Sequence, residues 1–315
     1  MTSEQRAGGR RALLNVVLAL GALAFAVHLL MPRVSELPQA VEHVKSGSPW
    51  WLLAAVVVAV FTRVGGTISL MGSLEEDLPF WPTFEVQVAA SFTGLFAPQG
   101  VGLAAINAQY LEKRGHDRTV AITASGLNSV AGFAAHVLSI LVAVVLVGPS
   151  IVSNLRTPPR WWLLAGGALL ALVLGLAVWT PLGRKWLWKP ALRAGASLWS
   201  TVKRPLRTVQ LLGGSVLVTI TNALTLALAM NAFGQSVSII DVVAVYLAAA
   251  AVSAVAPTPG ALGALEAALI AGLTAVGVDA PIAVGGVLVY RLFTFWLPIA
   301  PGVWAVRDLR RRGVV

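Results

Sequence analysis

Apolar residues run along this chain in long, nearly unbroken stretches, and polar residues gather in short clusters between them. Uninterrupted runs lie near residues 13–31, 50–71, 119–148, 161–180, 209–233 and 281–306. A helix crosses the hydrocarbon with roughly 20 apolar residues, so each run is long enough for one full span. Two further apolar regions are interrupted, 83–112 at APQGVG (97–102) and 241–277 at APTPG (256–260). Each fits one kinked span, two spans or a re-entrant helical hairpin. The runs are too long and too uniformly apolar for barrel strands, and in lipid only helices and closed barrels satisfy their backbone groups. The pattern predicts an all-α polytopic membrane protein.

Charge separates the readings of the two interruptions, because cytoplasmic loops favour Lys and Arg. Place the N-terminus inside and let both broken regions return to the side they entered. The segments around 6–11, 113–118, 184–207 and 307–312 are then cytoplasmic and hold 17 of the 23 Lys and Arg. Arg33, Lys45, Arg156 and Arg160 fall outside, and Arg63 and Arg291 stay within spans. If each region crossed once, the basic block at 184–207 would move outside. Two full spans per region keep the same loop sides, but each half is short for a span. The expectation is six full spans plus two re-entrant hairpins in one integral membrane domain, 1–315, with both termini cytoplasmic.

The first hairpin then enters from the cytoplasm and the second from outside. Each is preceded and followed by a span, so 50–148 and 209–306 read as an inverted repeat. The breaks resemble each other, APQGVGLAAIN against APTPGALGALE. Inverted repeats with broken helices are an architecture of secondary transporters. Around them lie a first span and outer loop (13–49), a span and basic connector (149–208) and a basic cytoplasmic tail (307–315).

Composition agrees with this picture. Of 315 residues, 57% are hydrophobic and 11% charged, and the mean hydropathy is +0.81. A soluble domain needs a more charged surface. The formal charge of +10 sits beside apolar runs, a pattern of orientation signals and anionic-lipid contact rather than of nucleic-acid binding. Arg6, Arg10 and Arg11 before Leu13–Met31 resemble a signal peptide, but the run is long and no small-residue cleavage site follows, so a retained span is expected. The segment 184–207 reads equally as an amphipathic surface segment or as a charged connector.

Chemistry concentrates at the breaks. Thr258 before Pro259 is a helix-start signal, so one half-helix is expected to end near Ala256 and another to begin near Pro259. Its free N–H groups would offer an anion site, and Gly260 and Gly263 would admit a headgroup or a facing helix. A plain kink with small residues for packing is the alternative. Glu266 would be costly in lipid, so it needs a partner, and Arg291 or Arg63 could supply one. The result is either a structural ion pair or a headgroup or proton site. The first break offers Pro98, Gln99, Gly100 and Gly102, then Asn107. Glu85 and Asp241 are expected as caps at hairpin starts. There is no cysteine, and HExxH, GxGxxG and paired-carboxylate spacings are absent. No catalytic residue, metal or cofactor is expected, and no enzyme activity.

PTPGALGALE (257–266), Gly277 and YRLFTFWLPIAPG (290–302), which includes Tyr290, resemble the C-terminal signature of the lysylphosphatidylglycerol synthase transmembrane-region family. Order and spacing agree over roughly 50–306. At the first break the chain departs from the family pattern. Gln99 stands for a glycine, Leu103 for an acidic residue and Ile106 for a basic one. The resemblance covers the membrane half of aminoacyl-lipid synthase–flippases and implies lipid translocation in the cytoplasmic membrane. The headgroup, anionic or phosphate-bearing, would be held in a midplane cavity between the hairpins. Two other readings stand beside it. One is a non-transporting subunit that anchors or regulates a glycosyltransferase or lipid synthase. The other is an ion-coupled transporter of a small solute.

Overall fold

In the computed structural model the described residues are 45, 47–96, 100–147, 204–234, 237–254 and 262–315, and their regular structure is all helical. Four helices among them are long and apolar enough to cross a membrane: Pro49–Gly72, Arg118–Val142, Pro205–Asn231 and Ala280–Arg311. They fall on four of the runs expected as spans. The runs 13–31 and 161–180 and the basic segment up to residue 203 lie outside the described residues.

The helices are Pro49–Gly72 (α1), Phe80–Thr93 (α2), Val101–Lys113 (α3), Arg118–Val147 (α4), Pro205–Asn231 (α5), Ile239–Ala254 (α6), Ala264–Ala275 (α7), Ala280–Arg291 (α8) and Ile299–Arg311 (α9). A π-helical segment, Leu292–Trp296, joins α8 to α9. Helix α5 begins four residues before the expected 209, because Pro205 presets the first turn. Arg207 therefore rides on the helix, where it donates to Asp77 at 2.7 Å and to the Glu75 carbonyl at 2.9 Å. The last helix likewise carries most of the expected basic tail. Glu85 is not a cap. It pairs with Arg312, which also meets Asp308. The bond to Glu85 holds the Arg312 guanidinium above its ordinary pKa, so the clasp keeps its positive partner at any working pH.

Helices α1 and α5 run antiparallel along their whole length. The Ser48 amide donates to the Ala232 carbonyl, Thr62 meets Thr221 hydroxyl to hydroxyl at 3.0 Å, and Ser69 meets Ser215 at 2.8 Å. Ser69 also donates to Asn128 of α4 at 2.6 Å. Small residues allow this approach. A Cβ added at Gly65 would lie 2.9 Å from the Gly214 carbonyl oxygen. Large apolar side chains such as Leu53, Val57, Phe133 and Leu141 face outward, as a bilayer requires. Trp50 and Trp81 stand exposed at helix starts, where interfacial anchors belong.

Each broken region is two short helices folded back on each other, rather than one kinked span. In the first, Thr83 meets the Tyr110 hydroxyl at 3.1 Å, Gln87 donates to Asn107 at 3.0 Å, and Thr93 lies against Gly102. In the second, a Cβ on Gly272 would lie 2.6 Å from Val245 Cγ1. The arms hold 14 and 13 residues, then 16 and 12. At 1.5 Å per residue they reach roughly 18–24 Å, less than the ~30 Å of hydrocarbon. Helix α2 packs on α9, and α6 packs on α4.

The first hairpin makes one expectation about stability. A Cβ on Gly102 would lie 2.7 Å from the Thr93 carbonyl oxygen and 2.9 Å from Gly94 Cα, both backbone atoms. Gly102→Ala should therefore lower stability by about 1–3 kcal/mol. At Gly126 an added Cβ meets nothing within 4 Å, so Gly126→Ala should leave thermal unfolding in detergent nearly unchanged. Equal shifts for the two would refute the close approach at Gly102.

Candidate functional site

The second break ends at Gly263, whose φ of 85° suits only a residue without Cβ. Helix α7 starts directly after it. This corrects the expected start near Pro259. Thr258, Pro259 and Gly260 precede the helix and lie outside the described residues. Glu266 thus sits in the first turn rather than two turns in. Its Oε2 accepts from the Gly263 amide at 2.7 Å. The anion at this helix start is the chain's own carboxylate, held at the positive end of the dipole.

The other oxygen of Glu266 accepts from Arg291 Nε at 2.7 Å. Both side chains are buried, with Glu266 7% and Arg291 6% exposed. Arg291 closes α8, where a cation faces the negative helix end. The π segment follows at once, marked by the Leu297 amide bonding back to the Leu292 carbonyl at 2.7 Å. Phe295 then lies beneath the guanidinium, whose carbon is 4.5 Å from the ring centroid, within cation–π range. Next in the chain, Tyr290 donates to Asn222 Oδ1 at 3.3 Å and meets Tyr246 edge-on at 6.3 Å between centroids.

Arg63, the other intramembrane cation, approaches from α1. Its Nη2 donates to the Thr294 carbonyl at 3.4 Å. That carbonyl is open for a reason visible in the sequence. Residue 298 would close its α-helical bond, but Pro298 has no N–H. Arg63 is therefore attached to the backbone beside the Glu266–Arg291 pair and is not part of it.

The first hairpin repeats the local device without the charges. Gly100, with φ 81°, stands before α3. Asn107 is fully buried and accepts from Gln87, and its own Nδ2 finds no partner among the described residues. A Cβ on Gly66 would lie 2.9 Å from Gln87 Oε1, so this pair sits against α1 one turn from Arg63. Pro98 and Gln99 lie outside the described residues.

The structure thus joins Gly263, Glu266 and Arg291 directly, with Tyr290 adjacent and Arg63 of α1 reaching the Thr294 carbonyl nearby. Gly100, Gly102 and Asn107 stay within their own hairpin. Sequence reasoning missed Asn222, Tyr246, Gln87 and Phe295. The first three carried a signal, as polar atoms within apolar helices. No curated protein matches the chain. Both hairpins and the buried ion pair fall within residues 12–302, the stretch matched by the family model for the lysylphosphatidylglycerol synthase TM region, and the chain belongs to that family.

Proposed function

We propose that this protein is a flippase of the cytoplasmic membrane that moves a phosphate-bearing lipid between leaflets. Family membership supports a lipid-related role in the membrane. The observation that carries the reading is the buried Glu266–Arg291 pair at the tip of the second hairpin, where α7 begins. A purely structural contact there would be as stable with apolar side chains. A pair of opposite charges adds the ability to exchange partners. A lipid phosphate that reaches Arg291 replaces the Glu266 carboxylate, and the hairpin tip is released from the span it was fastened to.

The inverted-repeat arrangement is part of this proposal, with the hairpins re-entrant from opposite faces. Three features support it. Thr62 and Thr221, which touch, are 159 residues apart. The same spacing relates Asn107 to Glu266 and Gln87 to Tyr246. Finally, α2 on α9 and α6 on α4 are equivalent packings under that relation. On this reading the Thr62–Thr221 contact lies on the pseudo-two-fold axis. One half-site is then charged and the other neutral.

The test is lipid translocation in proteoliposomes, with wild type beside Glu266→Gln and Arg291→Ala. Wild type should accelerate exchange of phosphatidylglycerol over empty vesicles. Each variant should fall at least about tenfold, a loss of roughly 1.4 kcal/mol in the barrier. Equal rates for all three would refute the residue assignment. No acceleration by a well-folded wild type would favour the anchoring subunit instead.

A further inference from the structure

Arg63 opens onto a groove of about 260 Å³ between α1, α2 and the π segment with α9. Val56 and Val60 line it from α1, Phe84 and Val88 from α2, and Phe293 and Leu297 from the last span. Val60 and Leu297, each 50% exposed, form its rim, so the groove faces the surroundings of the protein and not its interior. Among the described residues, Arg63 is the single ionisable one in its lining.

That cation is under-used. A guanidinium has five N–H donors. Among the described residues, Arg63 makes the one long bond to the Thr294 carbonyl, and no carboxylate lies within ion-pair distance. Arg291, by contrast, is occupied by Glu266 and Phe295. An intramembrane arginine needs a counter-charge or water, and guanidinium takes phosphate in a bidentate fork. Depth matters as well. Arg63 stands nine residues before Gly72, the end of α1, which is about 13 Å along the helix at 1.5 Å per residue.

The geometry points to a binding site for one anionic diacyl phospholipid, with its phosphate on Arg63 and an acyl chain along the groove. Charge complementarity names the occupant. The cation selects a phosphate without a compensating positive headgroup, and the apolar walls select a chain attached to it. A phosphate held this far from either helix end belongs to neither leaflet, and its role as a transport intermediate rests on the translocation reading above. The binding itself does not, so the two can fail separately.

The experiment reads binding alone. Delipidated full-length protein in detergent is offered dioleoyl phosphatidylglycerol or dioleoyl phosphatidylcholine, and bound lipid is counted by native mass spectrometry. Wild type should retain phosphatidylglycerol about tenfold more than phosphatidylcholine. Arg63→Gln should lose that preference, and Arg63→Lys should keep part of it. Val60→Trp, which fills the groove from its rim and leaves the charge in place, should lower retention of both lipids. Inorganic phosphate should not displace the bound lipid, since it lacks the chain. Unchanged preference in Arg63→Gln would overturn the site, and so would unchanged retention in Val60→Trp. Displacement by inorganic phosphate would reduce the site to a simple anion site and overturn the lipid assignment.

Discussion

Replacing Arg291 with alanine should lower the stability of the folded bundle by about 3–5 kcal/mol. Glu266→Gln should cost at least as much. The argument is one of stranded charge. Both side chains are buried, and their bond at 2.7 Å joins α7 to the end of α8. Without Arg291, the carboxyl still keeps its bond from the Gly263 amide. Without the carboxylate, the guanidinium keeps its full charge, since it does not deprotonate in proteins. Glutamine still caps Gly263 through its amide oxygen, so the loss in Glu266→Gln measures the charge and not the cap. The double variant Glu266→Gln with Arg291→Met removes both charges. It should recover most of the loss, because replacing a whole buried pair by packed neutral groups is often nearly neutral. A double-mutant cycle on thermal unfolding in detergent, with Arg291→Met also measured alone, decides the matter. Additive single and double effects would mean that the two residues do not interact.

Gly214→Val should have an effect of similar size by a different route. A Cβ at Gly214 would press on the Ser69 amide and lie 2.6 Å from the Gly65 carbonyl oxygen. At Gly72 it would press on the Leu211 amide and lie 2.7 Å from the Arg207 carbonyl oxygen. These are backbone atoms within packed helices and have little room to move. One added methyl should cost about 1–3 kcal/mol, and valine more. The readout is a cross-link. The chain has no cysteine, so Thr62→Cys with Thr221→Cys gives a single reporter pair where two hydroxyls now meet at 3.0 Å. It should oxidise readily in an otherwise native background and poorly with Gly214→Val added. Gly213→Val is the control, since nothing lies within 4 Å of a Cβ there. Equal cross-linking in both would show that α1 and α5 do not depend on Gly214.

The four described spans were legible because apolar length follows directly from the solvent. The breaks were legible because proline and glycine interrupt those lengths. The exact start of α7 was misread for a local reason. Thr258–Pro259 is a familiar start signal, but Gly263 followed three residues later by Glu266 is a competing one, and it prevails here. Glu266 and Arg291 were both identified, and their pairing was foreseeable because few charges lie in the membrane. The open Thr294 carbonyl was also foreseeable, since a proline four residues on removes its donor. The long contact between α1 and α5 was not. Gly65, Ser69 and Gly72 mark a face that another helix can approach, but nothing in one chain says which helix will.

That contact sets an order of assembly. Helix α5 is completed 159 residues after α1. At about 5–20 residues per second, the ribosome takes roughly 8–30 s to supply it. Through that interval α1 has its glycine and serine face uncovered in the bilayer, and Ser69 has no partner from Ser215 or the Leu211 carbonyl. A chain stalled before Pro205 would leave that face without its covering helix, a target for whatever machinery surveys unassembled spans.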